Sequence, residues 1–198
     1  MLKHSLHIAQ LLAKAQKGDQ LAFQEIYELY YDRLLRFGCS MGNSHGMVHD
    51  VIQELFIRLL QQPNRFLTIT NLDTYLFKCL RRNLGSSLQR ARKKRNQAYK
   101  HRERQQIEMS VETRLIHSEY RKAQSAWLST QLDLLTPHQK ESIYLRFYEN
   151  LSYDEMAEIF SVSNQVVRNS VFRALKKLRK NISKQKTHPL SGLYGLFL

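Results

Sequence analysis

Turn-forming residues are scarce in this chain, with 7 Gly and 3 Pro among 198 residues. An all-β protein of this length would need many more tight turns, so the shortage excludes a strand-rich fold and suits a helical one. Cysteine is nearly absent. Cys39 and Cys79 lie on helical stretches among apolar neighbours, which leaves room for one disulfide at most and fits two small buried thiols in a reducing compartment better. Long apolar runs are missing too. The opening MLKHSLHIAQLLAKAQKGD is broken by Lys, His and Gln, so it makes neither a signal peptide nor a membrane span. The closing LSGLYGLFL is too short to cross a bilayer. There is no phosphate-binding Gly loop, no nucleophile elbow and no carboxylate pair with a partner base, so nothing points to an enzyme or a cofactor. His45 and His49 share a helical spacing, but no further His or Cys stands at ligand distance, and no metal site is assigned.

Negative charge is the last scarcity. Against 31 Lys+Arg the chain has 17 Asp+Glu, a formal net charge of +14, which calls for a polyanionic partner. The excess is not spread evenly. Lys78 to Arg104 holds eleven Lys/Arg and one acid, and Asn164 to Lys186 holds eight and none. Asp19 to Leu60 reverses the balance, with six acids and three Arg. Two basic segments behind an acidic front suggest two nucleic-acid contacts and a separate protein contact.

What the chain does have is helical periodicity. Phe23, Ile26, Tyr27, Tyr30, Leu34 and Phe37 form one apolar stripe, Val48, Val51, Ile52, Leu55, Phe56 and Leu59 a second, and Leu72, Tyr75, Leu76, Cys79, Leu80 and Leu84 a third. Pro63 ends the second helix and Asn71 can cap the third. These pieces predict a helical domain over 1–90. A basic, polar linker follows over 91–118. Order resumes near Trp127, Leu128, Leu132 and Leu135, and a module of four short helices is predicted over 119–183. The tail, 184–198, has no assigned role. In the module, Thr136-Pro137-His138-Gln139 and Ser152-Tyr153-Asp154-Glu155 both read as capping boxes. The fold class is all-α: two small helical domains joined by a linker.

Within the second domain, Asp154 to Phe160 is a short amphipathic helix and Ser161-Val162-Ser163 a tight turn. A longer helix follows, with Val167, Val171, Ala174, Leu175, Leu178 and Ile182 on one face. Ala157 is small enough for two helices to touch, Val162 can plug the turn, and Val167 is apolar one turn on. This is a helix-turn-helix, and the outward face presents Asn164, Gln165, Arg168, Asn169 and Arg173 to base edges and phosphates. Ser161 stands where Gly is common, which requires its backbone to avoid the left-handed region. A plain helical hairpin with a basic face is the competing reading, and the coincidence of caps, plug and acid-free charge disfavours it.

At these residues the chain resembles a known family. Leu135 to Lys180 (LTPHQKESIYLRFYENLSYDEMAEIFSVSNQVVRNSVFRALKKLRK) is similar to region 4 of extracytoplasmic-function RNA polymerase sigma factors. In the front half, FQEIYELYYDRLLRF, DVIQELFIRLL and DTYLFKCLRRNL resemble successive helices of region 2. The resemblance spans about Leu21 to Lys180 in family order. It implies a protein that binds rather than catalyses, without cofactor or membrane insertion, in the cytoplasm. The implied partners are promoter DNA, the clamp helices of the largest subunit of core polymerase, and an anti-sigma factor.

By position, Asp50, Gln53, Glu54 and Phe56 would face the clamp. Asn64, Phe66 and Asn71 would hold a base flipped from the −10 element, with Phe66 as an apolar or stacking wall. Tyr75, Lys78, Arg82 and Asn83 would line the same strand. The family's Asn seven residues after the aromatic falls on Arg82 here, with Asn83 one place later, so both are included. Asn164, Gln165, Arg168, Asn169, Phe172 and Arg173 would contact the −35 element, while Lys176, Lys177 and Arg179 neutralise phosphate. A helix-turn-helix regulator acting without polymerase would leave the front-half motifs unexplained. A recombinase would need a catalytic Ser or Tyr among clustered Arg and acids, in an order this chain lacks.

Overall fold

The computed structural model describes residues 2–98 and 130–184, with side chains over 6–90 and 130–181. All regular elements among the described residues are helical. They fall into two compact units, one within 1–108 and 158–160 and the other within 109–157 and 161–198. The expected linker beyond Ala98, Trp127, Leu128, the Ile182 side chain and the apolar tail lie outside the described residues. No helix among those described is long and apolar enough to cross a membrane. No group of three or more His, Cys, Asp or Glu among them could hold a metal ion.

The N-terminal unit contains α1 (Leu2–Gln16), α2 (Gln20–Ser40), α3 (His45–Gln61), a 3₁₀ turn (Pro63–Thr68) and α4 (Leu72–Ala98). Helix α1 precedes the three stripes and packs on α2 and the 3₁₀ turn, burying Ile8, Leu11 and Ala15. Gly18, at φ +85°, lets the chain reverse after it. Asp19 then caps α2, accepting from the backbone N–H groups of Leu21 and Ala22 at 3.0 and 3.1 Å. The stripes meet as predicted. Ile26, Tyr30, Leu34 and Phe37 of α2, Val48 and Ile52 of α3, and Leu76, Phe77 and Leu80 of α4 are fully buried. Gly38 makes the α2–α3 approach possible, since a Cβ there would stand 2.4 Å from the Val48 side chain. Asn71 caps α4 by accepting from the Thr74 N–H at 3.1 Å. The domain edge expected at residue 90 falls inside α4, which runs on to Ala98.

Polar groups tie α2 to the start of α4. The Tyr30 hydroxyl donates to one oxygen of Asp73 at 3.2 Å, and Arg33 donates to the other at 2.5 Å. The Arg33 guanidinium also lies over the rings of Tyr30 and Phe77. Burial raises the Tyr30 pKa well above its ordinary value, the Asp73 charge adds to this, and Arg33 opposes it. Cys39 and Cys79 are free thiols and half-buried.

The C-terminal unit has a helical turn at 130–133, then α5 (Pro137–Ile143), a π turn (Tyr144–Tyr148), α6 (Tyr153–Phe160) and α7 (Asn164–Lys184). Both capping boxes form. Thr136 accepts from the Gln139 N–H while the Gln139 side chain accepts from the Thr136 N–H. Ser152 and Glu155 repeat the exchange at 3.2 and 2.7 Å. Leu135, Ala174 and Leu178 make a small aliphatic core with Leu132 and Ile143 against it. Ser170 of α7 is hydrogen-bonded to His138 and to the buried Ser142 of α5, each at 3.0 Å.

Two expectations about the turn need correction. Ser161 does not avoid the left-handed region; its φ is +56°, because a three-residue reversal between α6 and α7 demands it. Val162 does not plug the turn, for 38% of it is exposed, whereas Val167, one turn into α7, is fully buried.

Candidate nucleic-acid and polymerase interfaces

Helix α7 turns Val167, Val171, Ala174 and Leu178 into the core, and its periodicity therefore carries the polar set outward. Gln165, Arg168, Asn169, Phe172 and Arg173 are all exposed, and Asn164 is half-buried at the helix start. Phe172 is 63% exposed, so an aromatic ring stands in solvent among cations and amides. The polar groups are already ordered among themselves. Asn164 donates from its amide to Asp154 at 2.6 Å and accepts from the Arg168 Nε–H at 2.6 Å. Gln165 donates to Asn169 at 3.1 Å. Among the flanking cations, Lys176 and Arg179 are exposed, but Lys177 donates to the Leu134 carbonyl and so also ties α7 to the turn before α5. Sequence reasoning passed over Tyr153 and Asp154 as contributors to this face. The Arg168 guanidinium lies 4.5 Å from the centre of the Tyr153 ring. The signal was the capping box itself, which places both residues at the start of α6.

In the N-terminal unit the set proposed for unpaired bases divides. Asn64 and Arg82 are exposed, and Tyr75, Lys78 and Asn83 are half-buried along α4. Phe66 requires a correction: only 5% of it is exposed, and it packs edge-on against Phe23 with ring centres 6.4 Å apart. A base cannot stack on a ring in that position. The turn's exposed apolar side chain is Leu67, 65% accessible, which sequence reasoning did not single out. The Asn71 side-chain oxygen is taken up in capping α4. Tyr75 has its pKa raised by burial, with Arg65 hydrogen-bonded to it and acting the other way.

The acidic face of α3 divides similarly. Asp50 and Gln53 are exposed and Glu54 is half-buried. Asp50 and Glu54 line an open groove with Met47, Val51 and Ser87. Glu54 also accepts from Arg58, one turn on, at 2.5 Å. Phe56 is the second correction. It is 3% exposed and stands edge-on to Phe23 and Tyr27, at 5.9 and 5.0 Å between centres. Its ring supports α3 from behind and offers no surface to a partner.

Comparison with known proteins agrees with both halves. The family model for sigma-70 region 2 matches residues 26–97, and that for sigma-70 region 4 matches 125–178. The ECF RNA polymerase sigma factor SigW of Bacillus subtilis is 27% identical over 184 residues, covering 88% of this chain and 96% of its own. The RNA polymerase sigma-E factor of Streptomyces antibioticus is 26% identical, covering 84% and 87%. Among solved structures, CnrH in complex with the cytosolic domain of CnrY shares the fold at a TM-score of 0.63 and 19% identity, over 91% of this chain and 99% of that one. The sigma factor RpoE of Bartonella quintana, in complex with the anti-sigma factor NepR, gives 0.61 and 21%, over 80% and 94%. With a region 2 half, a region 4 half and relatives matched along most of their length, this chain belongs to the extracytoplasmic-function sigma factors, the RNA polymerase subunits that direct transcription initiation.

Proposed function

We propose that the two halves divide promoter reading as follows. Residues 1–90 form the polymerase-docking and −10 half, 91–118 the linker, and 119–183 the −35 half. Asp50, Gln53 and Glu54 dock on the clamp helices of the largest polymerase subunit. Asn64, Asn71, Tyr75, Lys78, Arg82 and Asn83 line the path of the unpaired −10 strand. Helix α7 enters the major groove at −35, where Asn164, Gln165, Arg168, Asn169, Phe172 and Arg173 face the bases. Melting is driven by binding energy to the unpaired strand, so the protein acts in the cytoplasm without catalysing a reaction of its own. An anti-sigma factor of the kind that accompanies RpoE of Bartonella quintana is a partner of this chain as well.

One observation carries this reading. Every residue assigned to −35 stands on the outward side of a single helix whose other side is buried core. The test adds purified chain to core RNA polymerase and measures promoter-dependent initiation across −35 variants. Arg168→Ala should lose discrimination at one base pair by roughly 5–150-fold, the range of a bidentate Arg–guanine contact. Lys176→Ala should weaken all variants alike and lower the salt dependence. Association with core without new initiation rejects the assignment, as does an equal loss for both substitutions on every sequence.

A further inference from the structure

Arg168 does not sit loosely on the surface of α7. Its Nε–H donates to the Asn164 side-chain oxygen at 2.6 Å, and the Asn164 amide is itself oriented by donating to Asp154 at 2.6 Å. The guanidinium lies 4.5 Å from the centre of the Tyr153 ring. That ring has a second cation against it, Arg146, at 4.8 Å. Arg146 is tethered in turn, donating through Nη1 to the Leu151 carbonyl at 2.8 Å. Tyr153 is half-buried at the start of α6, so its ring has little freedom of its own.

The consequence follows from the shape of guanidinium. It has five N–H donors in one plane, and a bidentate contact with guanine uses two of them. Here Nε–H is occupied by Asn164, and the aromatic ring restricts the plane in which the group lies. The terminal N–H groups remain to form a fork. An unheld arginine would lose several rotatable bonds on binding a base, and that entropy would be subtracted from its discrimination.

We infer that Tyr153 is a positioning residue for base recognition: with Asn164 it holds the Arg168 guanidinium in the orientation that reads a guanine in the −35 element. This rests on the proposed −35 role of α7 and adds a residue from α6, outside the recognition helix. The identity of the first helix-turn-helix residue thereby sets how sharply the second helix discriminates.

The test uses the full chain with core polymerase and a −35 library randomised one base pair at a time. Arg168→Ala identifies the base pair it reads. Tyr153→Leu should reduce preference at that same base pair by about 2–5-fold, the worth of an exposed cation–π contact, and leave the others unchanged. Tyr153→Phe, which keeps the ring, should behave like the parent. In the Arg168→Ala background, Tyr153→Leu should have no further effect on base preference.

A uniform loss on every sequence, or a Tyr153→Leu effect that persists without Arg168, overturns the inference. If Arg168→Ala itself changes no preference, the −35 reading fails first and the inference falls with it. If Arg168→Ala is selective and Tyr153→Leu is not, the inference alone fails. Tyr153→Met, unbranched and flexible, is made alongside. If neither substitution folds, NMR of the parent chain decides: the Arg168 Nε–H signal should show ring-current shielding and slow guanidinium rotation. A freely rotating group overturns the proposal.

Discussion

The two units of this chain stabilise helices by different means. The N-terminal unit has long helices locked by aromatic rings: Phe23 against Phe56 and Phe66, Tyr27 against Phe56, and Phe37 against Phe77 at 5.1 Å. The C-terminal unit sets two short helices, α5 and α6, against the long α7 around an aliphatic core, with capping boxes at the starts of both short helices. The difference has a functional side. In the N-terminal unit, two aromatics on the segments proposed as interfaces, Phe56 and Phe66, are buried in packing. In the C-terminal unit the core demands only small aliphatic groups from α7, which leaves Phe172 and the polar set free to face outward. A recognition surface is cheapest to vary where the core beneath it is simple.

Removing a ring should therefore have the largest effect, and on one unit. Phe77→Ala leaves a cavity against Phe37 and beneath Arg33, and should cost roughly 3–5 kcal/mol. Hydrogen exchange read by mass spectrometry should show lost protection in α2 and α4, with smaller changes in α5 and α7. Equal loss throughout would mean that the two units do not differ in what holds them.

Tyr30 sharpens the same contrast through pH. Its folded pKa lies above the ordinary value of 10.0, chiefly because burial disfavours the phenolate and Asp73 stands beside it. The unfolded chain therefore loses this proton first as pH rises. The contribution is fully present below about pH 10 and declines above it, by at most about 1.4 kcal/mol per pH unit. Denaturant melts between pH 9 and 11 should show the N-terminal unit weakening, and Tyr30→Phe should flatten that slope. An unchanged slope would place the alkaline sensitivity elsewhere.

Much of this was legible in one dimension. Apolar spacing located α2, α3 and α4, and the caps at Asn71, Thr136 and Ser152 form as their local chemistry requires, because caps involve residues two or three apart. Helix α1 carried the same signal in Ile8, Leu11 and Ala15, but its interrupting polar residues drew attention only as a negative for membranes. What failed was non-local. Phe66 turns in against Phe23, some forty residues away in sequence, and no periodicity reports it; the stripe of α3 did place Phe56 inward, and only the role carried over by position set it on a surface. The hold on Arg168 failed to appear for a similar reason, since it joins residues from two helices across a turn.

The smallest effect tests whether turn chemistry limits the C-terminal unit. Two non-glycine residues there take positive φ: Asn150 at +57° and Ser161 at +56°. Asn tolerates this region because its side chain can bond locally, whereas Ser pays more of the Cβ–carbonyl clash. The clash is worth roughly 1–2 kcal/mol, and the extra freedom glycine has when unfolded takes some of that back. Ser161→Gly should thus stabilise by about 0.5–1 kcal/mol, with increased exchange protection in α6 and α7. Since Ser161 lies outside the Tyr153, Asn164 and Arg168 cluster, −35 discrimination should be unchanged. A more stable chain that also changed its −35 preference would mean that the turn sets the angle of α7, and that strain at Ser161 is part of how the helix is aimed. A chain destabilised by the glycine would show instead that the serine makes a contact worth more than its strain, and the contrast between the units would lose its simplest support.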